Sequence, residues 1–214
     1  MNSEDIARYL RAHPQFFDKH PELLESISVP HPHGGRAIPL AERQTVALRE
    51  KLKLLEGRLA ELLQLAGEND AISEKVHRLS VALCGARDFP ALAAALYFHL
   101  REDFAVPHVA LRVWGKSVPA DFDEAQAVDE AQRLHAGAMA APQCGPAAGN
   151  PFVPWFSEAA EHVRSVALVP LGQTTVFGLL ALGSEDAKRF YPEMGTLYLR
   201  RIGELCAAAV TARL

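Results

Sequence analysis

Residues 40–86 read LAERQTVALREKLKLLEGRLAELLQLAGENDAISEKVHRLSVALCGA, and their spacing predicts one long helix. Leu48, Leu52, Leu55, Leu59 and Leu62 alternate steps of four and three, the pattern of a coiled-coil seam. The seam then steps three to Leu65 and resumes as Asn69, Ile72, Val76, Leu79 and Leu83. Two consecutive steps of three make a stammer, which overwinds a supercoil locally without ending it. At about 1.5 Å per residue such a helix reaches about 70 Å, more than one small domain can bury. It therefore requires a partner, most simply a second copy. The expected dimer face is Leu48, Leu52, Leu55, Leu59, Leu62, Ile72, Val76 and Leu79. In a parallel pair Lys51 and Glu56 would oppose each other across the seam, and Asn69 would fix register at a cost in stability. Antiparallel packing, or a bundle with the N-terminal helices, would satisfy the same leucines.

Residues 1–39 precede this helix as short elements. Ser3 is expected to cap a helix running to His13, with Glu4 and Asp5 at its positive end and Ile6, Tyr9 and Leu10 as its apolar face. Pro14 breaks it, Phe16 and Phe17 follow, and Pro21 opens a second short helix with Leu23, Leu24 and Ile27. Neither can build a core alone, so both must dock elsewhere. A turn, Val29-Pro-His-Pro-His-Gly-Gly35, leads on. His20, His31 and His33 suggest a metal, but no cysteine or spaced carboxylate completes a ligand set, and no metal or cofactor is expected.

Residues 87–214 read as a mixed domain. Asp88 caps a helix carrying Pro90, Leu92, Leu96, Phe98 and Leu100. Then His108-Val-Ala-Leu-Arg-Val-Trp114 alternates: Val109, Leu111 and Val113 belong to a core, while His108, Ala110, Arg112 and Trp114 mix charge with aromatics, as a pocket floor would. Residues 115–162 form a long, weakly patterned connection with a helix near Glu130–Ala141 and an aromatic stretch, Asn150 to Phe156. Val163–Leu171 and Phe177–Ser184 are apolar on both faces and are expected as central strands joined by a Gly172–Thr175 turn. A closing helix from Pro192 to Arg213 carries Met194, Leu197, Tyr198, Ile202, Leu205 and Ala209.

The whole chain narrows the classes further. With 214 residues, 49% hydrophobic and 22% charged, it is globular rather than disordered. A net charge of −4, with the basic residues of the long helix interleaved with Glu42, Glu50 and Glu56, argues against nucleic-acid binding. No run approaches a membrane span, and the acidic start Met1–Asp5 is unlike a secretory signal. Cys84, Cys144 and Cys206, without close spacing, suit a reducing cytoplasm.

The order helix, helix, strand, long connection, hairpin, helix resembles a GAF domain, the small-molecule-sensing relative of PAS domains. Arg164-Ser-Val-Ala-Leu-Val-Pro-Leu171 and Phe177-Gly-Leu-Leu-Ala-Leu-Gly-Ser184 carry that likeness. In the N-terminal half, Tyr9-Leu10, His13-Pro14, Phe16-Phe17, Pro21-Glu-Leu-Leu24, Val29-Pro-His31, Leu40-Ala-Glu-Arg-Gln44 and Leu48-Arg49 resemble the bacterial domain-of-unknown-function family 484. The resemblance implies an N-terminal coiled coil and a C-terminal GAF-like domain of α+β class with a central antiparallel sheet. It brings no activity and no catalytic residues. By the same likeness residues 70–86 and 192–213 would form a helical layer on one sheet face, with the long connection covering the other.

Three functions fit this outline. The first is a non-enzymatic dimeric sensor whose ligand sits under the connection among Arg112, Trp114, Cys144, Phe152, Trp155 and Phe156 and signals through the coiled coil. Its bland counterpart has the aromatics filling the space and Arg112 paired with Asp129 or Glu130. The second is a scaffold recruiting another protein through the coiled coil or the Phe16–Phe17 helices. The third is a thiol enzyme, since one GAF-fold branch reduces free methionine sulfoxide and Cys144 lies in the matching connection. That chemistry needs a resolving thiol, and Cys84 and Cys206 are expected in the helical layer.

Overall fold

A computed structural model describes residues 2–26, 28–29, 38–115, 122–172 and 174–214, the side chains of 24–42 excepted. His31 and His33 lie outside the described residues. The chain divides into two compact units, Met1–Gly67 and Glu68–Leu214. The division falls inside the long helix, whose C-terminal part is counted with the second unit.

In the first unit, α1 (Ser3–Ala12) is capped by Asn2 and not by Ser3, which is its first helical residue. The Asn2 amide donates to Asp5 Oδ2 at 3.1 Å, so a local carboxylate satisfies a donor the helix leaves open. Pro14 ends α1, and α2 (Phe16–Lys19) and α3 (Pro21–Ser26) follow. Tyr9 stacks on His13 at 4.4 Å, and Phe16 meets Phe17 edge-on at 5.4 Å. No side chain of α1 or α2 is buried. The two-residue strands β1 (Ser28–Val29) and β2 (Ile38–Pro39) pair antiparallel and lead into α4 (Leu40–Gly85), 46 residues long.

The stripe along α4 has two fates. Leu48, Leu52, Leu55, Leu59 and Leu62 are each more than half exposed. Val76, Leu79 and Leu83 are buried in the second unit's core, and Ile72 packs half-buried against it. Val76 and Leu79 are therefore covered by the chain's own sheet layer rather than left free for a dimer face, while Ile72 keeps part of its surface open.

The second unit holds a four-stranded antiparallel sheet of order β3-β6-β5-β4, with β3 His108–Val113, β4 Gln143–Pro146, β5 Ser165–Leu171 and β6 Gly178–Ser184. The C-terminal part of α4, α5 (Phe89–Glu102) and α7 (Leu197–Thr211) supply the helical residues of one core. Asp88 caps α5 by accepting the Ala91 amide at 2.9 Å, as its sequence position predicts. The buried face of α5 is Phe89, Leu92, Ala93, Leu96 and Leu100, whereas Phe98 is 60% exposed. The helix α7 starts five residues later than Pro192, and it buries Leu199, Ile202, Gly203, Cys206 and Val210 while Leu197 stays exposed. Gly203 permits the close approach of α7 to β5, since a Cβ there would sit 2.6 Å from Val169 Cγ1.

Side chains clasp these helices together. Arg213 donates to the carbonyls of Leu83 (2.7 Å) and Ala86 (2.7 Å) at the end of α4, and to Ala209 O at 2.8 Å. The acceptors at the α4 end are carbonyls that a helix cannot satisfy internally. Asp103 accepts from Arg78 Nη2 at 3.1 Å and meets His99 Nδ1 at 2.6 Å, tying α4 to the end of α5. At the opposite sheet face, a second core of Ala110, Phe152, Phe156, Val166, Leu168, Leu179 and Ala181 lies under residues 122–163, which include α6 (Glu130–Gly137) and a 3-10 segment, Val153–Glu161.

Candidate functional site

The alternation of β3 places the site. Leu111 and Val113 join the helical core, and Ala110 joins the core of the opposite face, so Arg112 shares that opposite face by the two-residue period. A cavity of about 550 Å³ opens there, lined by Tyr97, His108, Arg112, Glu124, Gln126, Trp155 and Phe156 among others.

Arg112 is 7% exposed. Its Nη2 donates to Gln126 Oε1 at 2.8 Å and its Nη1 to Leu111 O at 3.1 Å. The guanidinium stands 5.6 Å from the centre of the Trp155 ring. Among the described residues no carboxylate forms an ion pair with it, Asp129 and Glu130 included. Neutral carbonyls such as these do not offset the lost hydration of a buried full charge.

Glu124 is the second buried charge, 4% exposed. It accepts the Tyr97 hydroxyl at 2.6 Å. Burial, then that bond and the carboxylate charge, push the Tyr97 phenol well above its ordinary value, so it remains a hydrogen-bond donor. Gln126 is fixed in turn by donating Nε2 to Asp123 Oδ1 at 2.7 Å. His108 Nε2 is buried without a hydrogen bond among the described residues; the Glu185 carboxylate lies 3.4 Å away, outside hydrogen-bonding geometry.

The cavity's cover contains a strained residue. Ser157 has φ 52° and ψ −125°, breaking the 3-10 segment just after Trp155 and Phe156. Such a backbone costs on the order of 1–3 kcal/mol in a residue bearing a Cβ. Phe156 closes on the sheet over Gly183, where a Cβ would sit 3.0 Å from its ring.

Of the six residues expected to form the site, Arg112, Trp155 and Phe156 line the cavity. Trp114 shares their sheet face but is held by donating its indole N–H to Val176 O at 3.1 Å. Phe152 is wholly buried core, edge-on to Trp155 at 5.1 Å. Cys144 is on the wrong side. It pairs with Ala167 across β4–β5, and Ala167 pairs with Leu182; both belong to the helical core, against which Cys144 also packs. The cross-strand register thus turns its thiol away from Arg112, and burial pushes that thiol up from its ordinary value. Cys206 is fully buried with its thiol pushed up to about 12, and Cys84 is exposed rather than a core residue. Tyr97, Glu124 and Gln126 were not foreseen. A tyrosine beside the apolar stripe of α5 was the one available signal.

A larger groove of about 930 Å³ runs between residues 137–142 and α7. Its charged lining is Arg200 and Glu204, both exposed, so no fixed polar group converges there.

Among the described residues no group of three or more metal-ligating side chains forms, and no helix is long and apolar enough to cross a membrane. The GAF domain of a candidate sensor histidine kinase from Pseudomonas syringae pv. tomato is similar in structure, at a TM-score of 0.48 and 19% identity, covering 70% of this chain and 92% of that one. The A. aeolicus nlh2 GAF domain in an inactive state matches at 0.47 and 13%, covering 68% and 99%. The uncharacterized protein YigA of Salmonella typhimurium (strain LT2) is 24% identical over 209 residues, 94% of this chain and 88% of its own. YigA of Escherichia coli (strain K12) is likewise 24% identical over 209 residues. The helix-backed antiparallel sheet makes the second unit one of α+β class. The family model described as "Protein of unknown function, DUF484" matches residues 1–213, and the chain belongs to that family.

Proposed function

We propose that the chain is a non-enzymatic sensor that binds a small organic anion on Arg112, under the cover made by residues 122–161, and dimerises through α4. The observation that carries this reading is the buried guanidinium with no carboxylate partner among the described residues, facing a cavity of about 550 Å³. A ligand carboxylate would supply the counter-charge in bidentate form, stacked against Trp155. The dimer face reduces to Leu48, Leu52, Leu55, Leu59 and Leu62, whose burial is worth about 1.5–3 kcal/mol per side chain. Because α4 supplies both that seam and the Val76–Leu83 part of the core, occupancy of the cavity has a route to the dimer through the shared sheet.

Cys144 faces the helical layer, away from the cavity, which disfavours the thiol-enzyme alternative. A recruitment scaffold is favoured by one observation, a ring cluster in which Tyr9 and His13 are exposed and Phe16 and Phe17 half-buried. A pull-down with and without residues 1–40 separates recruitment from ligand sensing.

The sensor reading is tested by thermal shift and calorimetry against a panel of mono- and dicarboxylates, on wild type and Arg112→Gln. Binding that disappears in the variant supports it. Failure of every carboxylate, amino acids included, to bind wild type removes it. Sedimentation of Leu55→Lys/Leu59→Lys protein tests the seam: a monomer is expected, and a persisting dimer refutes this face.

A further inference from the structure

Resting on the anion-site reading above, we infer that the cavity selects a zwitterion, an α-amino acid, over a simple carboxylate. The cavity holds two nine-tenths-buried groups of opposite charge, Arg112 and Glu124. They do not form an ion pair with one another. Each is instead held by a neutral side chain: Gln126 accepts from Arg112, and Tyr97 donates to Glu124.

Two opposite charges buried for stability alone would pair directly, because that is what offsets their desolvation. Here each keeps unused capacity. The Arg112 guanidinium has five N–H donors, of which the described contacts employ two. Among the described residues Glu124 accepts one hydrogen bond, which leaves lone pairs for more. A ligand with a carboxylate and an ammonium on one carbon presents the complementary pair. A carboxylate alone would leave Glu124 as an uncompensated neighbour of the ligand's negative charge. The Trp155 and Phe156 rings, also in the lining, offer the side chain of such a ligand an apolar wall.

The other titratable groups of the lining agree with a ligand of no net charge. Asp123 is engaged by Gln126, while Arg101 stands over the Tyr97 ring at 5.8 Å. Glu158 is exposed and His108 meets Glu185.

The experiment uses the full chain and the twenty amino acids, screened by thermal shift and confirmed by calorimetry. The tightest is then compared with its desamino acid, which keeps only the carboxylate, and with its decarboxylated amine. The zwitterion is expected to bind at least tenfold more tightly than either. Glu124→Gln should lower amino-acid affinity at least tenfold and tighten binding of the desamino acid, whereas Arg112→Gln should weaken both. If Glu124→Gln does not fold, the three-ligand comparison on wild type decides alone. Equal binding of the desamino acid, or carboxylates binding while all twenty amino acids fail, overturns the inference and leaves the anion site standing. Failure of both classes removes the anion site as well.

Discussion

Replacing Arg112 by methionine separates a ligand-binding arginine from a structural one. Methionine approximates the stem's volume and adapts to irregular space, so the substitution removes charge rather than packing. The charge forfeits two hydrogen bonds, to Leu111 O and Gln126 Oε1, at about 1.5–3 kcal/mol each. It also loses the Trp155 contact, about 0.5–2 kcal/mol. Against this stands the relief of burying a guanidinium without a counter-charge, several kcal/mol in the same direction as the substitution. Gln126 is exposed, so its freed carbonyl returns to water. The opposing contributions are of similar size, and the net change in unfolding free energy should lie within about 2 kcal/mol of zero. Urea denaturation followed by tryptophan fluorescence and far-UV circular dichroism measures it, with equal slopes confirming one transition. Carboxylate binding should vanish in the same protein. A loss of about 3–5 kcal/mol, the cost of breaking a buried charge pair, would mean that Arg112 is a structural keystone and would sink the ligand reading.

Three further outcomes follow from particular contacts. Arg213→Ala removes the clasp on Leu83 O and Ala86 O and should cost about 2–3 kcal/mol, lowering the melting temperature by about 5–10 °C; an unchanged melt refutes that clasp. Ser157→Gly relieves a left-handed φ of 52° and should raise stability by about 1 kcal/mol, read as a rise of about 2–4 °C, while a fall would show that the strain is illusory. Asp103 is held below its ordinary value, chiefly by the His99 hydrogen bond and then by Arg78, so its contribution is present above about pH 4 and lost as pH falls through the lowered value. Melts between pH 6 and 3 should therefore fall more steeply for wild type than for Asp103→Asn, and parallel curves would discount the network.

The sequence carried the fold where one periodicity had one meaning and misled where it had two. The β3 alternation sorted Leu111 and Val113 from Ala110 and Arg112 correctly, because a strand covered on both faces leaves each side chain a single destination. The α4 stripe is the opposite case. Val76 and Leu79 keep the same four-and-three spacing as Leu55 and Leu59, yet they enter the chain's own core. Spacing reports that a face is apolar and says nothing of who covers it. Cys144 was misplaced for a related reason. Gln143-Cys-Gly-Pro146 has no apolar alternation and ends in proline, as an edge strand can, so β4 was invisible and with it the register that faces the thiol toward the helices. Glu124 and Gln126 sit in a short acidic 3-10 turn that reads as solvated loop, and only tertiary closure buries the carboxylate against Tyr97. The two charges that make the cavity unusual thus came from different levels: Arg112 was legible because strand geometry aims it, and Glu124 was not, because its environment is made by residues 27 positions away.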